Sequence, residues 1–440
     1  MHKIRLSGLK PFSYLGFRML LGRPAAAREK GAHSARHGVF LGAILGIGIS
    51  IVPLYIVIFV SNGMIKGITD RYLETKTGHI QMSIPLDLSE ENRVQRIETI
   101  EELPGVVSAS YEIDGLGLAA STKCSTSAQI RGLDESITSD RGYREYIEID
   151  AGDLFPQKEN EVVLGRYLAK TLGVEIGETV SLMTLRETEG EEILPKLSIF
   201  RVAGIVSSGY RELDANWFII HSRVAQRILS SDMAYSYIGI KTKDPYGPDL
   251  DDIMNNVKKL YPEALVRPWR DIEQSLFKSF SSTRSMLVFI MAIAGIVAAV
   301  NLSSVLTTFV MEHRKEIAVL RSFGVSRKQT MLIFLLGGTV TGIIGCISGS
   351  AVGVAISLCI NHLLSAIQTL IDFFTKLFSP SSQAITLLNP DYYLERILIS
   401  MNLRFIVFIL CSGILVSMIV SLIPAFRSSS IAPAELIRHD

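Results

Sequence analysis

Hydrophobic and polar positions change period several times along this chain, and the changes mark its parts. Four runs are apolar and free of Asp, Glu, Lys and Arg over the ~20 residues that a bilayer core requires. They lie within 39–61, 285–311, 331–362 and, from Phe405 to Ile423, 403–425. We read each as a transmembrane helix. The first run keeps its helical period through Met64, Ile68 and Tyr72 over 62–77, and the approach to the second repeats it in Ile272, Leu276 and Phe280 over 271–285. Both read as stalk helices rising from the membrane. Between the stalks the pattern alternates. GHIQM, VVSASYEI, EVVLG, TVSLMTL, FRVAGIV, NWFII and YSYIGIKT read as strands. Helices are expected over 90–103 (Val94, Ile97, Ile100), RYLAKTLGV and 248–260. The polar link ETEGEEILPK reads as a hairpin tip. The expected fold is therefore an α-helical membrane protein with four transmembrane helices. A large α+β extracytoplasmic domain, 62–284, is inserted between helices 1 and 2. It is long enough to bury its own core and is expected in two subdomains.

Charge orients this arrangement. Residues 1–38 carry Lys3, Arg5, Lys10, Arg18, Arg23, Arg28, Lys30 and Arg36 against one acid, Glu29. The 312–330 segment carries Arg314, Lys315, Arg321, Arg327 and Lys328, whereas 363–402 has only Lys376 and Arg396 among Asp372, Asp391 and Glu395. Basic loops stay inside, so 1–38, 312–330 and the 426–440 tail are expected in the cytoplasm, and 62–284 and 363–402 outside. The spans hold no ionisable group that could bind and release an ion, which argues against an ion-coupled carrier. The motif G-x-x-x-x-G-K-[ST] is absent, so an ATP-driven reading puts ATP, Mg and the ATPase on a separate polypeptide. A net charge of +1 gives no electrostatic basis for nucleic-acid binding. Cys346, Cys359 and Cys411 lie in apolar runs, which leaves Cys124 no disulfide partner in the outer stretch. His33 and His37 lack a third ligand, so no metal is expected. Neither a paired acid and base nor a G-x-S-x-G elbow occurs, so we assign no catalytic residues and no enzyme activity.

The stretch 301–329 joins the second and third spans. Glu312, His313, Arg314, Lys315 and Glu316 give way to Ile317, Val319 and Leu320, a short helix with a wet face and an apolar patch. Gly324 stands where a helix ends on a residue tolerant of positive φ. Ser326 with Gln329 forms a capping-box pair opening the next helix. Such a charged juxtamembrane loop serves either as a positive-inside anchor or as a part that receives force from a soluble protein. Small residues at four-residue spacing, Gly42 and Gly46 in the first span and Gly338, Gly342, Gly345, Gly349 and Gly353 in the third, allow close helix approach, within one chain or across a dimer.

The stretch NLSSVLTTFVMEHRKEIAVLRSFGVSRKQTMLIFLLGGTVTGIIG and the closing SLIPAFRSSSIAPAELIRHD resemble the conserved module of FtsX/MacB-type ABC-transporter permeases. SNGMIKGITDRYLETKTGHIQ, VVLGRYLAKTLGVEIGETVSLMTL and FRVAGIVSSGYRELDANWFII resemble the outer domain of the lipoprotein-releasing permeases of that family, a MacB-like periplasmic domain. The resemblance implies a bacterial inner-membrane permease that pairs with itself or a paralogue and binds two copies of a cytoplasmic ATPase. Glu312, Arg314, Lys315, Glu316, Ile317, Leu320, Arg321 and Gly324 would then form the helix seated in the ATPase. The implied cargo is lipoprotein drawn from the outer leaflet, with a periplasmic chaperone as a possible acceptor and the hairpin at 186–196 in the position of a chaperone-binding hook. We place Ile49, Leu54, Ile58, Met286, Phe289 and Ile293 on the cargo path among membrane lipids. Two other readings fit the same module. One is an efflux permease for a drug, toxin or peptide with a separate ATPase, and the other a mechanotransmitting permease controlling a cell-wall hydrolase.

Overall fold

The computed structural model describes residues 33–187, 193–230, 234–312, 324–378 and 402–430, together with Ile317, Val319, Ser322 and Ile399. The chain divides into two compact units. One comprises Met1–Gly63, Ser282–Ile367 and Ile399–Asp440; the other comprises Met64–Ser281 and Gln368–Leu398. Helix α1 (His33–Tyr72) passes into the second, outer unit at Met64 and continues there into a widened π-helical turn, Leu73–Thr77.

The outer unit is built on one ten-stranded sheet, not on two subdomains. In chain order it runs β1 (Ile80–Ser83), α2 (Glu90–Glu101), β2 (Val106–Ala120), β3 (Ser125–Leu133), α3 (Arg141–Tyr146), β4 (Glu148–Gly152), β5 (Glu161–Gly165) and α4 (Arg166–Leu172). It goes on through β6 (Thr179–Glu187), β7 (Ile193–Ser207), β8 (Trp217–His221), α5 (Ser222–Ile228), β9 (Ala234–Thr242), α6 (Asp249–Leu260) and β10 (Val266–Pro268). The long strand β2 explains the single sheet. Its first part pairs β9 from Val106 to Gly115, and its last residues, Leu118 to Ala120, pair β6 instead. Because β6 also pairs β7, the strands β2, β3, β8, β5, β7 and β6 close on themselves, leaving β9, β1 and β10 as an open extension from β2 and β4 as a short one from β7. Closure removes free strand edges. Ile113, Ile130, Leu164, Leu182, Phe200 and Phe218 belong to the larger apolar core. A second core gathers Ile68 and Tyr72 of the first stalk with Val163, Val206, Trp217 and Ile219, and Leu276 and Phe280 of the second stalk pack on it.

The membrane unit is carried by α1, α7 (Gln274–Glu312), α8 (Arg327–Leu358) and α10 (Leu403–Ser430), each with an apolar stretch long enough to cross a bilayer. Helix α10 runs on through Pro424 to Ser430, past the end of the apolar run at Ile423. A further helix, α9 (Ile360–Phe378), occupies the start of the segment expected as a loop.

The glycine row of α8 packs within this chain. A Cβ at Gly349 would stand 2.6 Å from the Gly48 carbonyl oxygen and 2.7 Å from its Cα, and one at Gly353 would stand 2.9 Å from Tyr55 Cβ. Gly342 and Gly345 face Ser417 and Ile47 in the same way, and Gly338 is buried. Gly42 and Gly46 face open space, and the contact on α1 is made by Gly48, two residues on. Gly349→Ala is therefore expected to destabilise the membrane unit by about 1–3 kcal/mol, since the new methyl would meet the Gly48 backbone, which cannot swing aside as a side chain can. Gly46→Ala should be neutral or slightly stabilising. Thermal denaturation of the purified full chain checks the contrast.

Candidate functional site

The end of α1 is where a helix leaving the membrane unit meets the sheet, and it is held by charge. In the π turn the carbonyls of Glu74, Thr75 and Lys76 are not consumed by the helix. Lys241 Nζ donates to the Glu74 oxygen (2.8 Å), Arg131 Nη1 to the Thr75 oxygen (2.6 Å), and the Tyr237 hydroxyl lies 3.0 Å from the Lys76 oxygen. Gln81 Nε2 donates to the Thr77 carbonyl oxygen at 3.0 Å. Two cations at a helix C-terminus also complement its dipole.

Each cation is itself paired. Arg131, fully buried, donates to Glu112 Oε2 at 2.6 Å and lies over the Trp217 ring with 5.1 Å to its centroid. Lys241 meets Asp140 at 2.6 Å and Glu74 at 3.1 Å. Burial pushes the Asp140 carboxyl up, but the charge and hydrogen bond of Lys241 outweigh it and hold the group below the usual carboxylate range. His79 completes the cluster. Its Nδ1 accepts from the Thr242 backbone N–H (2.8 Å), which leaves Nε2 to donate to Glu74 (3.2 Å). Lys76 pairs Glu273 at 2.7 Å and so ties the two stalk roots together.

The membrane unit contains a cavity of about 990 Å³ between α1, α7 and α10. Its wall is made by Ile47, Ile51 and Leu54, by Met291, Ala294, Gly295 and Ala299, and by Gly413, Val416 and Val420. Small side chains on α7 hollow out the space. Four of the hydroxyls on the wall are satisfied by their own helices: Ser50 donates to Gly46 O, Thr307 to Ser303 O, Thr308 to Ser304 O and Ser412 to Ile409 O. Among the described residues no acid or base lines the cavity. The space suits an alkyl chain and offers nothing to an ion.

Of the residues that sequence placed on the cargo path, only Leu54 lines this cavity. Ile58 packs beside Tyr55 and Phe59, and Ile49, Met286, Phe289 and Ile293 are exposed. The reason is helical phase. Met286, Phe289 and Ile293 share one stripe of α7, while Met291, Gly295 and Ala299 share another.

Between α7 and α8, Gly324 has φ +93° and ends the preceding turn, and Ser326 and Gln329 form the expected capping box (Ser326 N to Gln329 Oε1, 2.9 Å). Ile317 and Val325 are buried and Val319 is exposed. Glu312 ends α7; Arg314, Lys315, Glu316, Leu320 and Arg321 lie outside the described residues. The tip at 188–192 of the β6–β7 hairpin also lies outside them. Below it Leu116, Leu118, Met183, Leu197 and Ile199 form an exposed apolar face across β2, β6 and β7.

Comparison with known proteins follows the same division. Residues 40–259 match the MacB-like periplasmic core domain family, and 288–433 match the FtsX-like permease C-terminal family. The lipoprotein-releasing system transmembrane protein LolC of Neisseria meningitidis is 27% identical over 90% of this chain and 93% of its own length. LolE of Haemophilus influenzae is 23% identical over 64% of this chain and 65% of its own length. Among solved structures, the periplasmic region of MacB from Actinobacillus actinomycetemcomitans aligns with 47% of this chain and 95% of that one, at 16% identity and a TM-score of 0.31. With half of its length matching the periplasmic core domain and the FtsX-like module following in order, the chain belongs to the FtsX/MacB-type ABC transporter permeases.

Proposed function

We propose that this chain is the transmembrane subunit of an ATP-driven complex that extracts lipoproteins from the outer leaflet of the bacterial inner membrane. The observation that carries the reading is end-to-end similarity to a lipoprotein-releasing permease, over 90% of this chain and 93% of the relative. The charge-free, largely apolar cavity supports it, because acyl chains need an apolar seat. Energy comes from two copies of a separate cytoplasmic ATPase seated on the segment around Ile317–Gly324, which keeps both termini inside. A second permease subunit completes the pair. The apolar outward face of β2, β6 and β7 is offered to the acceptor of the released protein, a periplasmic chaperone.

Depletion of the protein followed by envelope fractionation tests the reading, and normal departure of triacylated proteins from the inner membrane would sink it. At residue level, Gly295→Phe fills the cavity at a point where nothing lies within 4 Å of a new Cβ. Displacing about two methylenes at ~0.8 kcal/mol each is expected to cut release about tenfold. Basal ATP hydrolysis by the assembled complex should be unchanged.

A further inference from the structure

The cavity between α1, α7 and α10 has a cation standing just past one end of its wall. On α7 that wall runs from Met291 to Thr308, ~26 Å at ~1.5 Å per residue, which is most of a ~30 Å hydrocarbon core. Arg284 lies about two turns before Met291 on the same face of α7, in the series Arg284, Met291 and Gly295 spaced i, i+7 and i+11. On α10 the series Phe405, Ile409, Gly413 and Val416 carries the opposite wall to the same level. The two series meet where the apolar wall stops, with the Arg284 guanidinium over the Phe405 ring at 5.3 Å from its centroid. Arg284, Phe405 and the whole cavity wall belong to the membrane unit. Stacking occupies the flat face of a guanidinium, and its N–H donors lie in the plane around it. The sequence of α7 holds no Asp or Glu from Gln274 to Met311, and among the described residues no acid pairs with Arg284.

We propose that Arg284 and the cavity form a phospholipid site, in which the guanidinium binds the phosphate of a glycerophospholipid and the acyl chains fill the apolar space. Charge complementarity selects this occupant. A phosphate ester offers the paired oxygens that the fork of an arginine matches, and a long apolar seat begins two turns below it. An arginine serving only as an anchor to bulk headgroups has no reason to share a face with the cavity. The exposed stripe of Met286, Phe289 and Ile293 lies on another side of α7, and Arg284 is not on it. Arg284 is itself exposed, so a headgroup can reach it. The proposal rests on the reading of the cavity as an acyl seat and not on the identity of the cargo. A phospholipid then occupies the seat between turnovers, and cargo enters by displacing it.

Native mass spectrometry of the intact chain, offered phosphatidylglycerol or the diacylglycerol of the same acyl chains, tests the site. Phosphatidylglycerol is expected to be retained roughly tenfold better, the worth of one charge-assisted contact. Arg284→Gln should erase that preference and leave diacylglycerol binding as it was, which also shows that the variant is folded. Arg404→Gln, next to Phe405 but on another side of α10, should keep the preference. Inorganic phosphate should not displace the bound lipid. Equal retention of the two lipids, retention of neither, or a preference that survives in Arg284→Gln would overturn the proposal. An equal loss in Arg404→Gln would also overturn it, by reducing the effect to a general attraction between basic residues and headgroups. Displacement by inorganic phosphate would do the same, since an anion alone would then fill the site. Because cargo is absent, failure of the lipoprotein reading would leave the result unchanged, and failure here would leave that reading standing.

Discussion

Arg131→Met is expected to destabilise the outer unit by about 3–5 kcal/mol, the cost of leaving a buried carboxylate uncompensated. Glu112 would lose its 2.6 Å partner while remaining almost fully buried, and the Thr75 carbonyl would lose its donor. Removing both charges should cost less. The pair Arg131→Met with Glu112→Gln is expected to recover much of the loss, because the buried side chain at 112 then carries no unpaired charge. Both tryptophans of the chain, Trp217 and Trp269, lie in this unit, and Trp217 is the ring under Arg131. Tryptophan fluorescence during thermal denaturation of the intact protein therefore reads the right region. Equal midpoints for wild type and Arg131→Met would show that the ion pair carries no such weight.

Val319→Asp, and Leu320→Asp beside it, should uncouple ATP hydrolysis from transport. Val319 is an exposed apolar side chain in the segment proposed to seat in the ATPase, between buried Ile317 and the stop at Gly324. A carboxylate pressed into an apolar groove without a partner costs ~2–3 kcal/mol, which weakens the seat by roughly 30- to 150-fold. Cargo-stimulated ATPase activity and release should fall together, while the ATPase alone keeps its basal rate. Val319→Leu, which preserves the apolar contact, is expected to pass. A Val319→Asp complex that assembles and releases cargo at the normal rate would remove this segment from the coupling path.

Much of this molecule could be read from local pattern. Charge-free runs announce spans because the cost of an unpaired charge in hydrocarbon falls on every position. The turn at Gly324 and the cap at Ser326 are decided by residues within a few positions of each other, and both stand as read. Alternation found most strands of the outer unit for the same reason. Closure of six strands was not legible, because it depends on β2 leaving β9 for β6 partway along its length, a pairing between residues about 60 apart in sequence. Arg131 was missed for a related cause. In STSAQIRGL it looks like the solvent-facing member of an alternating strand, and only its distant partners Glu112 and Thr75 make it an interior residue. The glycine row of α8 meets α1 at Gly48 while Gly42 and Gly46 face open space in this chain, since four-residue spacing gives a face and cannot say what that face meets.

The grip on the α1 terminus reaches three neighbouring strands: Arg131 stands on β3, its partner Glu112 on β2, and Tyr237 and Lys241 on β9. The middle strand is shared between hoop and open apron. A pull on the helix end would therefore be shared by two ladders at once, as a rivet through overlapping plates spreads a load.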